Sequence, residues 1–106
     1  MNKLELMGRL TKDVELKESK KGVKYAIFTL AVPRKAEKET TDFIDCIAFG
    51  NLADVIWKYV EKGNRLIVEG TLNIDTYEDK DGKKQKQVKC TVNDFYFVDF
   101  KKELDT

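Results

Sequence analysis

An all-β domain with one short helix is the fold class this sequence predicts, and three observations predict it. Apolar residues recur at every second position through most of the chain, the signature of half-buried strands. One segment, opening at Asn51, changes to helical spacing. Gly22, Gly50, Gly63, Gly82 and the single proline, Pro33, fall at the ends of the periodic runs, where turns belong.

The elements follow in order. Residues 3–10 put Leu4, Leu6, Gly8 and Leu10 on one face and Lys3, Glu5, Met7 and Arg9 on the other, which makes a first strand. A polar stretch, 11–22, separates it from a second strand at 23–32, where Ala26, Phe28, Leu30 and Val32 share a face. Pro33 ends the ladder because it has no amide hydrogen, and the charged, aperiodic segment 34–41 reads as an exposed loop. A third strand covers 42–50. Leu52, Val55, Ile56, Tyr59 and Val60 then recur at helical spacing, with Asn51 expected to cap the start and Gly63 to end it. Alternation resumes over 65–77, bringing Leu66, Val68, Gly70, Leu72 and Ile74 together. Lys80-Asp81-Gly82 forms a hairpin tip before a fifth strand at 85–97. Three strands, a helix and two long strands is the order of the OB-fold, a five-stranded Greek-key barrel. Order alone does not demonstrate closure, so a sandwich fragment and a flat α+β sheet stand as alternatives.

Length and composition fit this reading. A chain of 106 residues encloses one modest core, so we expect a single domain over 1–100 followed by a short charged stub over 101–106. Its 42% hydrophobic and 37% charged residues suit a globular fold with a well-hydrated surface. No apolar run approaches the roughly 20 residues needed to cross a bilayer. Glu5 stands where a secretory signal would have its apolar segment, so a cytoplasmic location is expected. Cys46 and Cys90 lie far apart inside apolar runs and are expected as buried thiols rather than a disulfide.

Catalysis is not expected. The chain has no histidine, which removes the commonest general base and the commonest metal ligand together. It also lacks a glycine-rich phosphate loop, a GxSxG elbow and any zinc-type cysteine spacing. Asp42 and Asp45 have the chemistry to hold a divalent cation, but a solvated surface explains such carboxylates. No catalytic residue, metal or cofactor is therefore assigned.

The net charge of +1 conceals an uneven distribution. Lys17, Lys20, Lys21 and Lys24 flank Gly22, while Lys80, Lys83, Lys84, Lys86 and Lys89 flank Gly82. One such cluster is explained by solubility alone; two at the turns of one barrel suggest a polyanion. The aromatics add to this. On the third strand Ile44, Cys46 and Ala48 form the core face, so Phe43 and Phe49 share the opposite face with Asp45 and Ile47. Tyr77 likewise falls on the polar face of Asn73 and Asp75. Cover by a second subunit or a loop explains outward rings as well as a ligand does. Trp57 lies outside the helix stripe and suits either a ring over the barrel end or a partner contact; Val98 and Phe100 also suggest covered apolar surface. Exposed rings between lysine-rich loops meet the needs of single-stranded nucleic acid, which offers base faces to stack and phosphates to neutralise.

The succession of motifs then resembles the bacterial single-stranded DNA-binding protein family over nearly the whole chain. Asn2-Lys3-Leu4-Glu5-Leu6-Met7-Gly8-Arg9-Leu10, Phe28-Thr29-Leu30-Ala31-Val32, Thr41-Asp42-Phe43-Ile44-Asp45-Cys46-Ile47-Ala48-Phe49-Gly50, and Tyr59-Val60-Glu61-Lys62-Gly63 leading to Val68-Glu69-Gly70-Thr71-Leu72 carry the resemblance. It implies base stacking on Phe43, Phe49 and Tyr77, phosphate contacts from Lys3 and Arg34, and assembly as homodimers or homotetramers. Arg9, Lys35, Lys83, Lys84 and Lys86 complete the expected phosphate set. Two departures stand out. Arg34-Lys35-Ala36 occupies the place after the second strand where the family usually has an aromatic. The chain stops at Glu103-Leu104-Asp105-Thr106 rather than in an acidic tip ending in Pro-Phe, so recruitment of replication enzymes through such a tip is not expected. The expected function is sequence-tolerant binding and protection of single-stranded DNA in replication, recombination, repair or uptake. The alternative is an OB-fold protein–protein adaptor of primosomal type, in which Trp57 and the outward phenylalanines serve a partner.

Overall fold

The computed structural model describes residues 1–37 and 39–101. Its elements are β1 (Leu4–Leu10), β2 (Glu15–Glu18), β3 (Lys24–Pro33), β4 (Thr41–Phe49), α1 (Asn51–Tyr59), β5 (Arg65–Glu78) and β6 (Lys84–Phe97). The order along the sheet is β1-β5-β6-β4-β3-β2, and a further β1–β3 pairing joins Arg9 to Ala31 and Leu10 to Leu30. These pairings close a ring of five strands, β1, β5, β6, β4 and β3, with β2 outside it. All the ladders are antiparallel except β4–β6, which is parallel over three residue pairs, Asp45–Lys89, Cys46–Cys90 and Ile47–Thr91. The helix stands between the third and fourth strands of the ring, as the OB-fold requires.

Burial follows the alternation. Leu10, Ala26, Phe28, Leu30, Cys46, Ala48, Leu66, Val68, Cys90 and Val92 point into the ring, and Ala53 and Ile56 of α1 join them. Cys46 and Cys90 are free thiols, directly opposite one another across β4–β6 and both buried. The Cys90 sulfur lies over Gly70, where an added Cβ would sit 2.7 Å from it and would also collide with the Thr91 carbonyl oxygen. Glycine there lets the two strands cross closely, and β5 slips register between Glu69 and Gly70.

The polar stretch after the first strand contains an element the alternation did not reveal. β2 pairs with β3 from Glu15–Ile27 to Glu18–Lys24. It has one inward apolar residue, Leu16, so there is no period to read. The helix ends also differ from expectation. Gly50, at φ 64°, occupies the N-cap position and Asn51 is already helical, with no side-chain cap. The helix stops at Tyr59 and Val60 turns extended, several residues before Gly63. Val60 is buried all the same, and its amide closes the helix by donating to the Ile56 carbonyl oxygen at 3.0 Å. Lys101 donates its amide to the Tyr59 carbonyl oxygen at 3.1 Å; the rest of the expected charged stub, 102–106, lies outside the described residues.

Candidate nucleic-acid interface

Because β-strand side chains alternate, the outward residues of β3, β4, β6 and β5 form one continuous face. Register runs from Tyr25 to Phe49 and Ala31 to Phe43 between β3 and β4, then from Asp45 to Lys89 and Ile47 to Thr91 onto β6. It continues from Lys89 to Asn73, Gln87 to Asp75 and Gln85 to Tyr77 onto β5. Phe43, Phe49 and Tyr77 are 65%, 48% and 52% exposed on this face. Three rings expected from the sequence therefore share one side of the molecule. A fourth, Tyr25, packs against Phe49 with ring centroids 6.2 Å apart. Sequence reading missed it, although the alternation of the second strand would have placed it outward with Ile27 and Thr29.

Between the rings the face sinks into a cavity of about 320 Å³, lined by Ile27 and Ile47 at its floor and by Lys12, Glu15, Asp45 and Lys89 among its polar groups. Asp45 accepts a hydrogen bond from the Thr29 hydroxyl at 2.9 Å. Lys89, although opposite Asp45 in register, reaches Asp75 at 3.1 Å.

The expected basic residues divide into groups. Lys3 precedes β1 beside Asn2, whose amide group both donates to and accepts from the Leu72 backbone. Lys35 is exposed in the loop between β3 and β4, at the Phe43 end of the face. Lys83 closes the β5–β6 hairpin, where its backbone pairs with Asp79. Arg9 lies one strand beyond Ala31, two from Phe43, and donates to the Gly63 carbonyl oxygen at 3.0 Å. Arg34 sits close to Phe43 but is engaged: its guanidinium makes two hydrogen bonds to Asp42, at 3.0 and 3.1 Å, and approaches Glu37 at 3.5 Å. Those hydrogen bonds raise the Arg34 pKa and hold the Asp42 carboxyl below its ordinary value. Lys84 and Lys86 stand opposite Glu78 and Thr76, so they face the other side of the hairpin from Tyr77, with Ile74 and Val88.

The interface has no buried charge and, among the described residues, no group of three or more cysteine and carboxylate side chains placed to hold a metal. Its parts are aromatic rings, a groove that combines Ile27 and Ile47 with charged side chains, and lysines at both ends.

A closed five-stranded ring with one helix between its third and fourth strands, carrying outward aromatic rings on β3, β4 and β5, has the architecture of an OB-fold. The chain belongs to the Single-strand binding protein family, which it matches over residues 1–98. It is 44% identical over 100 residues to a single-stranded DNA-binding protein of Clostridium perfringens, covering 93% of this chain and 67% of that protein. A single-stranded DNA-binding protein of Staphylococcus aureus is 37% identical over 111 residues, covering all of this chain and 70% of its own length. One from onion yellows phytoplasma is 34% identical over 106 residues, covering 97% of this chain and 99% of its own length.

Proposed function

We propose that this protein binds single-stranded DNA with little regard to sequence, as a coat that protects the strand in replication, recombination, repair or uptake. The observation that carries this is the continuous face from Tyr25 and Phe49 through Phe43 to Tyr77. Each base offers a π-face, so stacking on Phe43, Phe49 and Tyr77 tolerates any sequence and is worth roughly 1–3 kcal/mol per base. Duplex DNA hides those faces. Lys3, Lys35 and Lys83 flank the rings and hold phosphates; Arg9 extends that contact beyond Ala31. Lys84 and Lys86 serve a strand that crosses the hairpin tip, and Arg34 contributes by exchanging Asp42 for phosphate. The binding unit is the domain over 1–100, and the role is non-catalytic and cytoplasmic.

Self-association belongs to this reading. Tyr96 and Phe97 at the end of β6, Phe100 beyond it, and Met7 beside Arg9 and Ala31 are exposed, apolar area that a homodimer or homotetramer would cover. Two barrels in one assembly would lengthen the strand path.

The test is fluorescence anisotropy with labelled oligothymidine and with a duplex of equal length, each at about 50 and 200 mM salt, because each phosphate contact lowers log affinity by roughly 0.7 per log unit of salt for a single strand. Tight single-strand binding and weak duplex binding are expected, with a salt slope below the roughly 5 that all seven basic residues would give if each held a phosphate at once. Binding to neither would overturn the reading in favour of a protein adaptor.

A further inference from the structure

We infer that Asp45 reads the edge of a nucleobase seated between Phe43 and Phe49, favouring bases that carry an exocyclic amino group over thymine at that place. The inference rests on the single-strand reading above and adds a chemical preference to it. Phe43 and Phe49 are six residues apart on β4, about 20 Å of extended chain. A strand stacked on both rings must pass over what lies between them, Asp45 and Ile47. There the face holds the cavity of about 320 Å³, whose floor of Ile27 and Ile47 suits a flat apolar surface. That volume is at the lower end of the roughly 300–1,000 Å³ of small-molecule sites.

The polar groups decide which part of a nucleotide enters. Asp45 lends one carboxylate oxygen to the Thr29 hydroxyl, which fixes the side chain against β3. Lys89, the cation placed to neutralise it, is paired with Asp75 instead, and among the described residues no salt bridge reaches Asp45. The second oxygen thus keeps its acceptor capacity and the carboxylate its charge. Glu15 adds a second negative group to the wall, while Lys12 stands elsewhere on the same lining. The unpaired Asp45 oxygen repels a phosphate at its own position, so the strand presents a base edge there and keeps its backbone toward the lysines.

A carboxylate accepts and does not donate. Cytosine offers its N4 amino group and adenine its N6 amino group, while thymine presents O4, an acceptor that would meet the carboxylate oxygen lone pair to lone pair. Unmatched hydrogen bonds at a base edge discriminate by roughly five- to 150-fold in favourable geometry, and this site is partly exposed, so a preference of about fivefold is expected.

The experiment measures dissociation constants for labelled oligodeoxycytidine and oligothymidine of equal length with the wild type, Asp45→Ala and Asp45→Asn at fixed salt. Removing a negative charge strengthens binding to both strands, so the ratio of the two constants is the readout. We expect Asp45→Ala to move the ratio about fivefold toward thymine. Asp45→Asn retains a partner for Thr29 and offers an amide N–H to thymine O4, so it should move the ratio at least as far. Thermal melts check that the variants fold, and Asp45 is exposed on an outer face, so they should. A ratio unchanged in both variants, with both strands still bound, overturns the role of Asp45 and leaves single-strand binding intact. Failure of the wild type to bind either strand overturns the function itself.

Discussion

β5 is one strand with two different halves. From Arg65 to Gly70 it is flanked by β1 on one edge and β6 on the other, and its inward residues Leu66 and Val68 are completely buried. Beyond Gly70 β1 has ended, β6 is the one strand still paired with β5 apart from the Asn2 side chain at Leu72, and residues of the same alternation, Leu72 and Ile74, are 38% and 57% exposed. The pattern is identical and the environment is not. Alternation states which side a residue faces, but only neighbouring elements state whether that side is covered. The ring half therefore supplies stability, and the protruding half supplies reach for Tyr77 and the hairpin lysines.

The sharpest test of this contrast sets Leu66→Ala against Ile74→Ala. Leu66 is enclosed on all sides, so its truncation should cost about 2–5 kcal/mol in chemical denaturation. Ile74 loses little contact with anything but Val88 and should cost under about 0.5 kcal/mol. Equal losses would mean that the hairpin is covered in solution, as in an oligomer.

The same division should appear in DNA binding. Phe43 and Phe49 stand on one strand of the ring, β4, so replacing both with Ala should cost about 1–3 kcal/mol for each base released, read as weaker binding to oligothymidine with the thermal melt unchanged. Tyr77→Ala removes a ring from the arm, where part of the stacking energy is spent on ordering the hairpin, and should cost less than either phenylalanine. A larger loss at Tyr77 would move the centre of the interface onto the arm.

The smallest effect concerns the clip that ties the chain after β6 to the ring. Asp99 accepts hydrogen bonds from the Arg65 backbone amide at 2.9 Å and from its guanidinium at 3.0 and 3.2 Å. These hold its carboxyl at about 2, below the ordinary 3.8. A depressed folded value means that the contribution is present above about 3.8 and lost as pH falls toward about 2. Wild type should therefore melt slightly above Asp99→Asn at neutral pH, and the two should converge on acidification. A gap that persists at low pH would assign the effect to shape rather than charge.

Much of the aromatic face is legible in the sequence. Phe43 and Phe49 fall outward because Cys46 and Ala48 must fall inward, Tyr77 falls outward because Leu66 and Val68 fall inward, and a pleated strand offers no other arrangement. Basic residues were less legible. A lysine's place in sequence does not say what it pairs with, so Arg34 looked free until Asp42 was found against it, and Lys89 looked like one more hairpin lysine until β6 brought it beside Asp45. β2 stayed hidden because a four-residue strand with one inward apolar side chain has no period.

By itself the sequence determined the strands of the ring, the helix among them and the face each side chain takes, because these follow from local chirality and from the repeat of apolar residues along the chain. The tertiary structure alone decided closure through β1–β3, the parallel meeting of Cys46 with Cys90, the exposure of Ile74, and the charge left on Asp45. Each of these depends on residues distant in sequence, and proximity between distant residues is set by how the whole ring packs.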